Sequence, residues 1–119
     1  MPIVTTIGAD PARIDIDAHP GAPVDFTVAV LDGGGAAVTP SGWTLAAQIR
    51  ASRDTAVLQV LDLTAVTGGV QVEATGEDTA GWADWGVPVA RWDLWATPPA
   101  GTASPIAAGW VRIHPTTTH

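Results

Sequence analysis

The sequence predicts an all-β fold: an antiparallel β-sandwich or small barrel of about seven short strands. Three observations predict it. Apolar residues recur at every second position in several runs, as they do along a strand with one buried face. Gly and Pro, thirteen and ten in 119 residues, punctuate the chain between those runs at short spacing. Helical periodicity is confined to a single turn. Many short strands joined by Gly/Pro turns are the signature of a sandwich or barrel.

Residues 1–12, with Pro2, Gly8 and Pro11 between short apolar stretches, read as an extended N-terminal arm. The domain itself is expected over 13–115, with a polar tail at 116–119. Arg13-Ile14-Asp15-Ile16-Asp17 alternates, with both Ile on one face and both Asp on the other. His19-Pro20-Gly21 breaks it. Val24, Phe26, Val28 and Val30 line one face of the next strand, the cleanest in the chain. Asp32-Gly33-Gly34-Gly35 is a turn by composition, since glycine accepts positive φ without a Cβ clash. Thr39-Pro40-Ser41-Gly42 is a second loop. Trp43, Leu45, Ala47 and Ile49 then point inward, while Thr44, Ala46, Gln48 and Arg50 point outward.

Ala51 to Ala56 is a polar connector. Val57 to Leu63 reads as one apolar strand, closed by a turn over Val66 to Gly69. Val70, Val72 and Ala74 alternate with Gln71, Glu73 and Thr75. Glu77 to Trp82 is the one place for a helical turn, its acidic residues at the end that the helix dipole favours. Val87 to Ala96 is a strand in which Trp92 and Leu94 share one face, Asp93 and Trp95 the other. A loop over Thr97 to Pro105 leads to the last strand, Ile106 to Ile113.

Composition narrows the function. The 46% hydrophobic and 14% charged content belongs to a packed domain rather than a disordered chain. No apolar run approaches the ~20 residues that span a bilayer, and the N-terminus lacks the basic and apolar regions of a signal peptide. The chain is expected to be made in a cytoplasm and to remain as translated. A net charge of −7 with five scattered Arg disfavours nucleic acid and anionic membranes as partners. Cys, Lys, Asn and Tyr are absent. The absence of Cys rules out disulfides and thiolate metal sites, and codon bias in a high-GC genome accounts for the other three.

No constellation for catalysis, metal or cofactor emerges. Asp15 and Asp17 share a strand face that reads as solvated, without the burial or like-charge contact that raises a catalytic carboxyl pKa. No contiguous segment offers a calcium cage. His19, His114 and His119 sit in turns and at the tail with no HxH or HxxxH spacing. Ser41, Ser52 and Ser104 have no nucleophile-elbow context, and the Asp32 turn lacks the GK[ST] ending of a phosphate loop.

Tryptophan is the unusual resource: six of seven aromatics, with Trp82, Trp85, Trp92 and Trp95 inside fourteen residues. Trp43 and Trp92 read as core. For Trp82, Trp85 and Trp95 a subunit interface and the domain interior are equally supported, and a sugar-stacking platform is the competing use. Trp and Arg are favoured interface anchors. Trp82, Trp85, Arg91 and Trp95 are therefore the candidate contact residues, with Ile3, Val4 and Ile7 of the arm lying along a neighbour.

The ordered signals resemble the N-terminal module of upper baseplate proteins of tailed bacteriophages. The matching residues are Gly21 with Phe26, Asp32 with Gly35, Thr39 with Gly42, and Ala47-Gln48-Ile49-Arg50. Gly69-Val70, Asp78-Thr79-Ala80, Trp92-Asp93-Leu94 and Gly109-Trp110-Val111 with Thr116 follow. They span residues 20 to 118. Two departures stand out: Pro20-Gly21-Ala22 replaces an opening Gly-Asp pair, and Val38-Thr39-Pro40-Ser41-Gly42 replaces DLTG. The resemblance implies an immunoglobulin-like sandwich that docks or decorates and is not an enzyme. It implies a virion location after assembly in the host cytoplasm, at the tail tip, baseplate or capsid surface. The partners would be other virion proteins and copies of the chain itself. A carbohydrate-binding module touching a host-surface glycan through the Trp cluster is the alternative.

Overall fold

Alternation in the sequence becomes alternation in space. The computed structural model describes residues 12–32, 34–51, 56–99 and 101–114, together with the backbone of 3–6. Among them run ten strands: β1 (Ile3–Thr6), β2 (Ala12–Arg13), β3 (Ile16–Ala18), β4 (Val24–Leu31), β5 (Thr44–Arg50), β6 (Val57–Val60), β7 (Asp62–Val66), β8 (Gly69–Ala74), β9 (Val89–Thr97) and β10 (Ser104–Ile113). A single helix, α1 (Gly76–Trp82), and a 3-10 turn over Ala83–Trp85 lie between β8 and β9.

One sheet has the order β1-β4-β8-β7 and the other β2-β10-β9-β5-β6, with β3 also paired to β10. The two sheets pack face to face as a β-sandwich. The all-β antiparallel sandwich expected from the sequence is the one observed. The long strands pair antiparallel, while β1 runs parallel to β4 and β2 and β3 run parallel to β10.

Two expectations change. The apolar run from Val57 to Leu63 is two strands, not one, because the chain crosses from one sheet to the other at Leu61. That side chain is buried, and its N–H is held by the Ala47 carbonyl at 3.0 Å. β6 is then an edge strand, which is why Val57 and Val60 are exposed at 38% and 60%. Second, the described residues of the expected arm, 3–6 and 12, pair with strands of the domain. Ile3–Thr6 pairs with Val28–Leu31 of the same chain, and Ala12–Arg13 pairs with β10. Ile7 and the side chains of Ile3 and Val4 lie outside the described residues.

The two inner faces meet in one core. Val28, Val30, Val70 and Val72 come from the first sheet, and Ala47, Ile49, Trp92, Leu94 and Val111 from the second. Phe26 meets Trp92 edge to face across the sandwich, with ring centroids 5.8 Å apart at 80°. The Trp92 indole N–H donates to the Ile14 carbonyl at 2.7 Å, so this buried polar group is satisfied. The same carbonyl leaves no room at position 109, where a Cβ would collide with it.

The helix fills the corner between β8 and β9. Thr75 caps it by accepting the Asp78 N–H at 3.1 Å, and Gly86 in the left-handed region (φ 73°) ends the turn that follows. Thr79, fully buried, donates from its hydroxyl to the Ala22 carbonyl at 2.8 Å and accepts the Gly21 N–H at 3.1 Å. It ties α1 to the turn that launches β4.

Gly109→Ala is expected to destabilise the domain by about 2–3 kcal/mol through overpacking against the Ile14 carbonyl. Urea unfolding, read as a lower midpoint at unchanged slope, checks this. A midpoint equal to the parent's refutes the seam.

Candidate functional site: the outer face of the six-stranded sheet

Strand parity sends Ile49, Trp92 and Val111 inward, so the neighbouring residues of β5, β9 and β10 form the opposite face. Register arranges that face in rows. Ala46, Trp95 and Pro105 lie side by side, then Val60, Gln48, Asp93 and Ala108, then Val57, Arg50, Arg91 and Trp110. Beyond these, Arg112 lies between Val89 and Asp17. Trp95 is 40% exposed, and the Arg91 guanidinium lies 4.9 Å from the centre of the Trp110 ring.

The rows enclose a shallow cleft of about 220 Å³, lined by Gln48, Arg50, Arg91, Asp93, Trp95 and Pro105 among others. Arg50 donates from Nη2 to Gln48 Oε1 at 2.8 Å, while its Nε is buried without a hydrogen-bond partner among the described residues. A buried guanidinium N–H left unpaired is costly. Its wall combines two guanidinium groups, one carboxylate, one amide and one exposed indole. That set can bind carboxylates or hydroxyls and stack on an apolar ring. It contains no nucleophile–base pair.

Charge is unevenly distributed over the molecule. Arg13, Arg50, Arg91 and Arg112, four of the five Arg, share this face, and among the described residues the carboxylates beside them there are Asp15, Asp17 and Asp93, in a chain of net charge −7. Asp15 accepts the Trp110 N–H at 3.1 Å and lies 3.5 Å from Arg13 Nε. The hydrogen bond from Trp110 holds its carboxyl below the ordinary carboxylate range, and the nearby Arg13 adds to this. At the lower rim, the His19 and His114 rings stack at 4.6 Å, and His114 Nε2 lies 3.0 Å from Asp17. The fold thus joins two histidines that sequence spacing kept apart. Stacked rings do not converge on a point, and among the described residues no three His, Asp or Glu are placed to hold a metal ion.

The candidate contact residues separate. Arg91 and Trp95 lie on this face. Trp85 is half-buried and stacks on Trp82 at 5.3 Å, at the α1 corner. Trp82 is 1% exposed and its indole donates to Gln59 Oε1 at 3.1 Å. It belongs to the domain's own core, which corrects its reading as a contact residue, because the corner helix turns it inward. The continuous Trp82–Trp95 platform is therefore not formed. Trp110, Arg50, Gln48 and Asp93 went unselected from the sequence, although the alternation of β5 and β9 already placed the last three outward.

No protein-family model matches the chain, and no curated protein matches it. No helix among the described residues is long and apolar enough to cross a membrane.

Two predictions follow from these positions. Trp82→Ala is expected to cost about 3–5 kcal/mol by opening a core cavity, and Trp95→Ala less than about 1 kcal/mol. Thermal and urea unfolding of both variants decide this, and equal losses contradict the assignment. For Asp15, a depressed folded-state pKa gives stability that is complete above the unfolded-state pKa and lost as pH falls through the folded value. Asp15→Asn should therefore be less stable than the parent near neutrality, and the gap should close in acid. Urea midpoints measured down the acid range check the sign.

Proposed function

We propose that the chain is a non-catalytic structural module of a tailed-phage virion. It docks on or decorates the tail tip, baseplate or capsid surface, and it is present in several copies. The observation that carries this reading is the outer face of the six-stranded sheet, where Trp95, Trp110, Arg91, Val57 and Val60 lie together outside the core. Aromatic and Arg side chains gathered on one open sheet face suit protein contact. The ordered motif from Gly21 to Trp110 supports the virion assignment, and its residues serve the architecture. Gly21 and Thr79 tie the corner. Asp32 accepts the Gly34 and Ala36 N–H groups at 2.8 and 3.0 Å, and Gly109 admits the Ile14 carbonyl.

Mass spectrometry of purified particles and density of the intact particle test the proposal. The chain is expected in stoichiometric amount, seated through the Arg91–Trp95 face. Its absence from particles refutes the reading.

The cleft itself favours one alternative: an exposed indole beside an Asp, a Gln and two Arg is a combination that also receives sugars. On that reading a glycan array gives binding that Trp95→Ala abolishes while the fold is kept.

A further inference from the structure

Cross-strand register puts like charges directly opposite one another at two places. On the outer face of the six-stranded sheet, Arg50 faces Arg91. On the outer face of the four-stranded sheet, Asp25, Glu73 and Asp62 form a row across β4, β8 and β7, with Glu73 in the middle. Directly opposed like charges destabilise a sheet. Among the described residues neither set is relieved by an opposite charge: Arg50 meets the Gln48 amide and Arg91 the Trp110 ring. Arg13 pairs with Asp15, His114 Nε2 contacts Asp17, and among the described residues no cation pairs with Asp25, Glu73 or Asp62. The carboxylate row has one neutral partner, the Gln71 amide donating to Asp25 Oδ1 at 3.0 Å. On the other side the guanidinium of Arg50 retains its unpaired buried N–H.

The two sets have opposite sign and lie on opposite faces of the sandwich. We propose that copies of this chain associate head to tail, the Arg50–Arg91–Trp95 face of one copy seating on the Asp25–Glu73–Asp62 row of the next. Each face supplies what the other lacks. The row gives carboxylates to the two guanidinium groups, where bidentate, charge-assisted hydrogen bonds form. The indoles of Trp95 and Trp110 supply the apolar area that a purely ionic contact would miss. Because the two patches differ, the contact is heterologous and generates a ring or a filament rather than a closed two-fold dimer. The net charge of −7 opposes this association over long range, so it strengthens when the copies are concentrated on a common scaffold. The inference deepens the reading of the chain as a repeated building block by naming the surfaces that repeat.

Sedimentation of the full chain, with charge reversals, tests it. The weight-average mass is expected to rise with concentration up to about 1 mM and to fall back toward the monomer when salt screens the contact. Arg91→Glu and Glu73→Arg, each checked for an unchanged circular dichroism spectrum, should each weaken association at least ~tenfold. An equimolar mixture of the two variants should recover it, since each retains the face the other has lost. A parent chain that stays monomeric throughout overturns the inference, as does a mixture that fails to recover, and as does a Glu73→Arg variant that associates like the parent, the outcome for a symmetric Arg-face dimer. Chains that remain monomeric yet are found in particles leave the virion reading standing without this contact. Chains that associate but are absent from particles sink the virion reading alone.

Discussion

The fold hangs on the seam where the first strands meet the last. The Ile14 backbone lies so close to β10 that its N–H bonds to the Ala108 carbonyl at 3.0 Å and its own carbonyl takes the Trp92 indole N–H at 2.7 Å. That approach is possible only because residue 109 has no side chain. From it follow the pairing of β2 and β3 with β10, the outward turn of Asp15 toward the Trp110 amide, and the burial of Ile14 and Ile16 on either side. A second close approach has the same logic: a Cβ at Gly69 would strike the Val28 carbonyl, so β8 can lie against β4 only with glycine at its start. In both sheets, the absence of a side chain fixes register.

Much of this was legible in the sequence because strand parity is a two-valued code. The apolar sets of 24–30, 43–49 and 70–74 face inward as written, and Trp92 and Trp95 take opposite sides. What parity cannot encode is which sheet a strand joins. Val57–Leu63 satisfies the pattern of one strand, yet Leu61 serves as a corner between two. The sequence also gives no sign that residues 3–6 pair with β4, since a short apolar stretch between Pro and Gly reads equally well as a free arm. Trp82 failed for a related reason. Its neighbourhood is a helical turn, where period-two reasoning does not apply, and the tie from Thr79 to Gly21 and Ala22 sets which way the turn faces.

The site was legible only in part, because a face is a property of register across strands. Arg91 and Trp95 could be placed outward one strand at a time. That Arg50 lies opposite Arg91, or that Asp25, Glu73 and Asp62 share a row, requires knowing which residues of separate strands are neighbours. The arginines therefore looked scattered along the chain when four of them share one face. A net charge of −7 describes the average and conceals the segregation.

Natural sequences tend to agree with their folds at every level, so local disagreements are informative. This chain is consistent in its alternation, its helix cap and its turn glycines. The Asp32 carboxylate binds its own turn, and Thr79 satisfies the corner. Against that background, two sets of opposed like charges and one unpaired guanidinium N–H stand out. Neither set holds anything in the core, and both lie on outward faces where neutral residues would fit a sheet equally well. In the head-to-tail association proposed above, the cost of opposing like charges is offset by the facing copy. The residues of both sets gather in rows across a sheet instead of converging on a point.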